Sequence, residues 1–210
     1  MSVRKFVTGQ DAFVRHRCIA FLVKQFSPRS ILDVGGEGFL RRFLKCPLVT
    51  ANIAGADITM TDERIPVEAG SYDVVVSLDT VEHLEKGIRQ GFVSEMVRVA
   101  RTGVIVCAPL GTPEHSQFEQ NLLNDESLSP TARKYLSEHC RYGLPTPDEI
   151  SSLRGVCGGD LFYQGDFRSI RQNTSLLSNV LNNMISGLRS PRSFLASNWH
   201  PHTNRFFLVI

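Results

Sequence analysis

Imidazole and carboxylate side chains follow two apolar runs in the first half of the sequence. His83 comes soon after the run 72–78, and Glu114 and His115 follow a second run that ends at Pro109. Such groups can take up a proton near neutral pH when their surroundings adjust their pKa values. We therefore predict that His83, Glu114 and His115 are catalytic residues that remove a proton from a bound substrate. For Glu114 and His115, the alternative is a hydrogen-bonded pair in a loop.

A carboxylate followed by three glycines forms a second candidate site. Asp33 stands near the end of the apolar run 31–34, and Gly35, Gly36 and Gly38 follow it. Glycine lets the backbone approach a ligand closely, and the start of a following helix would offer free N–H groups. The spacing is not that of the nicotinamide or flavin dinucleotide motif. The glycine segment therefore indicates a site for a ligand other than these dinucleotides. The alternative is a tight turn that binds no ligand.

Apolar periodicity predicts alternating strands and helices over the first 110 residues. The predicted strands are 31–34, 48–53, 72–78 and 103–108, and the predicted helices are 12–26, 39–44 and 89–101. This alternation is typical of a doubly wound α/β sheet with mainly parallel strands. Such sheets bind ligands at the carboxyl ends of their strands, so we expect the glycine turn and the acid–histidine segments to share one edge.

The second half of the chain has a weaker pattern. We expect a single domain over 1–210 with a polar lid or substrate insertion at about 110–146 and a helical insertion at about 172–190. Thr146 and Pro147 indicate the start of a helix between these insertions. The segment 161–170 is a weakly predicted strand. The apolar end of the chain, 205–210, predicts a strand that must pair inside the sheet.

Composition limits the classes of function. The 210 residues carry 23 Lys and Arg against 21 Asp and Glu, a net charge of +2, so no broad basic face for nucleic acid is expected. The five cysteines are widely spaced and form no Cys-x-x-Cys pair, which argues against a zinc ribbon or a disulfide framework. No apolar run is long enough to span a bilayer, and a cytoplasmic location is expected.

The motifs taken in order resemble the class I S-adenosylmethionine-dependent methyltransferases of the broad type 11 group. The segments that carry this resemblance are 31–38, similar to the first motif, 64–73, similar to the entry to the fourth strand, and 81–84, similar to the turn after it. Within the group, the segments 77–83, 98–101 and 109–115 are similar to bacterial methyltransferases associated with glycosyltransferases. The resemblance implies a three-layer, Rossmann-like sandwich with a seven-stranded, mostly parallel sheet and an antiparallel last strand.

The resemblance implies S-adenosyl-L-methionine as the cofactor. The residues that it places in the cofactor site are Asp33, Gly35, Gly36, Glu37, Gly38, Asn52, Ile53, Asp62, Ser77 and Leu78. Asn52 stands near the position where the family has an acidic residue for the ribose hydroxyls, and an amide brings no charge there. The glycine motif is also one residue shorter than the commonest form of the family.

The resemblance further implies an enzyme that methylates a small-molecule or glycan acceptor at oxygen. The alternative is a non-catalytic protein of this fold that binds a metabolite or a partner protein. Nucleic-acid methylation is disfavoured by the near-neutral charge. Association of the chain with a second copy of itself, as a homodimer, is also expected.

Three roles are open for Glu82 and His83. They can be structural residues that cap the next helix, a general base, or metal ligands, since the segment from Asp79 to His83 resembles the metal-binding segment of ubiquinone-pathway O-methyltransferases. We assign no metal ligands from the sequence. His139 and Tyr142 could line the same pocket.

Overall fold

The computed structural model describes residues 9–61, 64–169 and 176–210. Its strands are β1 (Ile31–Val34), β2 (Leu48–Asn52), β3 (Ile58–Thr59), β4 (Tyr72–Leu78), β5 (Ala100–Pro109), β6 (Asp160–Asp166) and β7 (Thr203–Val209). They form one seven-stranded sheet in the order β3-β2-β1-β4-β5-β7-β6. The first five strands pair in parallel, and β7 lies antiparallel between β5 and β6. The predicted sheet and its antiparallel last strand are confirmed.

Helices cover both faces of this sheet. They are α1 (Gln10–Gln25), α2 (Lys86–Val99), α3 (Pro113–Leu122), α4 (Pro130–Tyr142), α5 (Pro147–Cys157) and α6 (Leu176–Leu188). Successive strand side chains point to opposite faces. Val74 and Val76 of β4 therefore pack with α1 in one core, while Val75 packs with α2 and α5 in the other. These two cores make the predicted three-layer sandwich.

The connection between β1 and β2 differs from the sequence prediction. A helix is predicted over 39–44, but the chain forms only a 3-10 turn over Phe39–Arg42. Pro47 immediately precedes β2 and disfavours helix at the residue before it. The aromatic ring of Phe39 instead packs against His16 of α1, with ring centroids 4.6 Å apart. Helix α1 and this turn therefore share one core on the same face of the sheet.

The polar segment 110–146 folds into two helices, α3 and α4, which periodicity alone does not predict. Each begins with a hydroxyl cap and a proline. The side chain of Thr112 accepts a hydrogen bond from the His115 amide, and Ser129 accepts one from Ala132, both at 3.1 Å. The predicted start of α5 is confirmed, because Thr146 caps it in the same way.

The region after α5 agrees with the prediction in part. Strand β6 ends at Asp166 and a 3-10 turn follows over Phe167–Ser169, so the strand is shorter than the predicted 161–170. Residue 170 and the start of the predicted insertion at 172–190 lie outside the described residues, and α6 accounts for the rest of it.

Among the described residues, no helix combines the length and the apolar character that crossing a membrane requires.

Candidate functional site

A cavity of about 1140 Å³ opens at the carboxyl ends of β1, β2, β4 and β5. The predicted cofactor residues that line it are Asp33, Gly35, Gly36, Glu37, Asn52, Ile53 and Leu78. His83 and His115 line it as well, as do His139 and Tyr142 from α4. The structure therefore brings the glycine turn and the histidine segments into one cavity, as the strand order predicts.

The glycine turn is packed so tightly that only glycine fits. Gly35 has φ +78°, and a Cβ there would lie 2.3 Å from Oγ1 of Thr80. A Cβ on Gly36 would lie 2.2 Å from Oδ1 of Asp33. The Gly35 amide donates a 2.7 Å hydrogen bond to the Ala51 carbonyl, which ties the turn to β2. Gly38 is not among the residues that line the cavity; it has φ +73° and lets the chain enter the 3-10 turn.

Asp33 lies beneath this turn and is buried. Burial raises its pKa to about 6, although a hydrogen bond from the Gly38 backbone and the charge of Arg41 act in the opposite direction. The folded protein thus binds a proton at Asp33 more tightly than the unfolded chain does. The contribution of Asp33 to stability consequently decreases as pH rises from about 4 to about 6.

We expect Asp33→Asn to remove this pH dependence. The free energy of unfolding of the variant relative to the parent should increase by on the order of 2 kcal/mol between pH 4 and pH 7, because the amide does not titrate. Urea unfolding curves of both proteins at several pH values measure the difference. Parallel stability profiles for the two proteins would contradict the burial argument.

Asn52 supports the turn with its amide group. Its Nδ2 donates to the Gly35 carbonyl at 3.0 Å, and its Oδ1 accepts from the Ile53 amide at 2.8 Å. The side chain of Ile53 is 62% exposed at the cavity.

The other predicted cofactor residues differ in position. Ser77 is buried and absent from the cavity lining, whereas Leu78 is part of it. Asp62, predicted in the cofactor site, lies outside the described residues.

A network of two arginines and two carboxylates forms one wall of the cavity. The buried Arg205 guanidinium contacts Asp11 and Asp79 at 2.9 Å each, and Arg15 contacts the same carboxylates at 3.1 and 2.9 Å. Burial alone would raise the pKa of Asp79, but the two arginines hold it below its usual value. Asp79 has φ +51°, an unusual conformation for a residue other than glycine that this network stabilises.

Glu82, His83 and His139 form a cluster at the other end of the cavity. One ligand-type atom from each residue lies within 4.8 Å of those from the other two. Glu82 is fully buried, and this burial, followed by the charge of Asp79, raises its pKa to about 8. Nδ1 of His83 lies 2.8 Å from Oε2 of Glu138, and burial lowers the His83 pKa. We call these three residues the Glu82–His83–His139 cluster.

Glu119 of α3 connects this cluster to His115. Nδ1 of His139 lies 3.1 Å from Oε1 of Glu119, while Nε2 of His115 lies 3.8 Å from the same oxygen. Burial would lower the pKa of His139, but the Glu119 carboxylate outweighs it and raises the value. The pKa of His115 is lowered by burial, and its Nδ1 is paired with the Leu110 carbonyl.

The structure does not bring Glu114 into the cavity. Its side chain is exposed in the first turn of α3 and is absent from the residues that line the cavity, because Pro113 starts a helix whose inner face carries His115. This position argues against the predicted catalytic role of Glu114. Sequence reasoning missed Glu119, because no motif or spacing points to it. It named His139 only as a residue that could line the pocket, without a catalytic role.

A family of methyltransferase domains matches residues 45–108 of this chain. The matched segment includes β2, β3, β4 and α2 and most of β5. No curated protein matches the chain in sequence.

Solved structures of methyltransferases have the same fold. The chain is similar to the plantazolicin methyltransferase BpumL in complex with a triazolic desmethylPZN analogue and SAH, at 14% identity and a TM-score of 0.58, over 96% of this chain and 85% of that one. It is similar to the plantazolicin methyltransferase BamL in complex with the same type of analogue and SAH, at 15% identity and a TM-score of 0.56, over 99% and 84%. Residues 45–108 thus match a methyltransferase domain, and the chain has the fold of these solved methyltransferases.

Proposed function

We propose that this protein transfers a methyl group from S-adenosyl-L-methionine to an oxygen atom of a small-molecule or glycan acceptor. The observation that carries the proposal is the single cavity that joins the glycine turn at the end of β1 to the Glu82–His83–His139 cluster after β4. Two ligands that react with each other must lie side by side, and one cavity with two chemically different ends provides that arrangement.

The residues around the glycine turn fit the proposed cofactor. The cavity is larger than the roughly 300–1000 Å³ typical of ligand pockets, so it has room for a cofactor and part of an acceptor. The Gly36 backbone and the second N–H of the Asn52 amide would hold the polar parts, and Leu78 and Met60 offer apolar contact. When bound, S-adenosylmethionine supplies an activated methyl group on a sulfonium, a cation that suits the acidic lining.

The histidine end of the cavity would take the proton that an acceptor hydroxyl must lose. Glu119 accepts a hydrogen bond from Nδ1 of His139, which leaves the Nε2 lone pair of this imidazole for another partner. Nε2 is buried and has no hydrogen-bond partner among the described residues. We accordingly add His139 to the predicted catalytic residues His83 and His115. Glu119 is the positioning residue of His139.

Calorimetric titration with S-adenosylhomocysteine tests the cofactor site. We expect the parent protein to bind this product and Gly36→Ala to raise the dissociation constant at least ~10-fold, about 1.4 kcal/mol. The added methyl group would displace Asp33 and the turn. Gly87→Ala is the matched control, because a Cβ at Gly87 meets nothing within 4 Å. Absence of binding by the parent protein at millimolar ligand would overturn the proposed function.

The alternative is a non-catalytic binding protein of this fold. It is favoured by the hydrogen bonds that the Asn52 side chain already makes within the protein through its nitrogen and its oxygen, because these compete with bonds to a cofactor. Cofactor binding without turnover of any hydroxyl compound would support it.

The exposed apolar side chains of α6 support the expected homodimer: they are Leu181, Met184, Ile185 and Leu188. The mass measured by light scattering tests that expectation.

A further inference from the structure

The cavity contains a buried carboxylate without a counterion in direct contact. Neither carboxylate oxygen of Glu82 has a hydrogen-bond partner among the described residues, and the side chain is 0% exposed. The nearby Arg15 and Arg205 contact Asp11 and Asp79. Buried carboxylates are normally paired with a cation, coordinated to a metal ion or neutralised by a proton. The site of Glu82 can therefore be completed either by a proton or by a positively charged partner in the cavity.

Two imidazoles stand beside this carboxylate, with ligand-type atoms of all three residues within 4.8 Å of one another. The rings of His83 and His139 have centroids 4.8 Å apart, and Nε2 of His139 is buried and unpartnered within the described part of the chain. Nδ1 of His139 is hydrogen-bonded to Glu119. Histidines that bind metals commonly make this second bond to a carboxylate, which fixes the tautomer and directs the other nitrogen to the ion.

A buried arginine fixes the two parts of the chain that carry these ligands. Arg89 of α2 donates to the Leu84 carbonyl at 3.0 Å, next to His83, and to the Gly143 carbonyl at 2.5 Å, just after α4. It also contacts Glu149 at 3.1 Å. The loop after β4 and the end of α4, which carry His83 and His139, are thus connected through one buried side chain.

We propose that Glu82, His83 and His139 bind a divalent transition-metal ion of the Zn²⁺ type. Two imidazoles and one carboxylate are a ligand set that such ions accept, whereas Mg²⁺ prefers oxygen ligands and several waters. Asp79 is not part of the site, because Arg15 and Arg205 hold its carboxylate.

The role of the ion, unlike its binding, rests on the proposed function. Three protein ligands leave a coordination position for substrate, and an ion there lowers the pKa of a bound hydroxyl. With the ion bound, Nε2 of His139 would be a ligand and not the base. The ion would acidify the acceptor hydroxyl, and His115, which also lines the cavity, would take the proton.

The test is titration of the EDTA-treated protein with Zn²⁺ by calorimetry and with Co²⁺ by visible absorption. We expect one ion per chain and no thiolate-to-metal charge-transfer band, since the cysteines, all free, are not part of the site. Glu82→Gln and His139→Gln should each weaken binding at least ~10-fold, and Glu119→Gln by roughly 10- to 100-fold. His200→Ala removes an exposed imidazole outside the cavity and should leave the affinity unchanged.

Three results would overturn the metal site: no binding at millimolar Zn²⁺, equal affinity in all variants, or a thiolate charge-transfer band. Circular dichroism of each variant shows whether it is folded. Titration with S-adenosylhomocysteine in the same samples separates the two proposals. Binding of the product without Zn²⁺ binding overturns only the metal site, and binding of Zn²⁺ without the product overturns only the proposed function.

Discussion

Replacing Arg205 by methionine is expected to lower the free energy of unfolding by about 3–5 kcal/mol, because it removes one partner of a buried ion network. Arg205 is 3% exposed and lies between Asp11 of α1 and Asp79 at the end of β4. Methionine approximates the volume of the aliphatic stem but leaves both carboxylates in the cavity wall without their shared buried cation. Urea unfolding at neutral pH measures the loss.

Arg168→Met is the matched control for this experiment. Arg168 pairs with Asp166 at 2.6 Å, but its side chain is 57% exposed, so the same substitution should cost less than about 1 kcal/mol. Equal destabilisation by the two substitutions would show that burial of the network around Arg205 does not add to its contribution to the free energy of unfolding. A larger loss for Arg205→Met would support the network as the connection between α1, β4 and β7.

His139→Gln is expected to lower kcat by roughly 10²- to 10⁴-fold, the range for loss of a group that removes a proton. The amide keeps hydrogen-bonding capacity near Glu119 but provides neither a basic nitrogen nor a strong metal ligand. The assay measures S-adenosylhomocysteine formation with a hydroxyl acceptor identified by screening. Affinity for S-adenosylhomocysteine should be unchanged, since His139 lies at the other end of the cavity from the glycine turn.

Two variants on α3 complete this comparison. Gln117→Ala changes an exposed side chain and controls for disturbance of the helix. Glu114→Gln tests the sequence-based assignment of a catalytic carboxylate and should retain activity, because Glu114 is exposed outside the cavity. Should Glu114→Gln be as damaging as His139→Gln, the position of α3 inferred here would be wrong.

Much of the sheet could be predicted because the signals are local. Continuous β-branched residues in β4 and the apolar run of β5 indicate strands that are buried on both faces, and the structure contains both. Strand β3, with two residues, carries too short a pattern to be recognised. The helix predicted after Gly38 is absent because packing of Phe39 on α1 favours the 3-10 turn, and no local rule contains that contact.

The location of the candidate site could be predicted better than the identity of the residues that form it. The expected neighbours β1 and β4 are paired, with Asp33 opposite Val76, and the glycine turn borders the cavity. His83 and His115 were found because they follow strands. Glu119 was not found, since its relation to His139 depends on how α3 and α4 pack, and helix packing is set by side-chain contacts between distant segments.

Local sequence patterns were sufficient to predict the class of fold, the edge of the sheet at which the cavity opens and the resemblance to methyltransferases. These follow from periodicity, turn residues and motif order, which are properties of neighbouring residues in the chain. Three features depend on the packing of distant segments: Glu114 faces outward, Asp79 belongs to an arginine network, and Glu82, His83 and His139 meet. The physical reason is that burial and the pairing of charges depend on all elements that surround a group, whatever their distance along the chain.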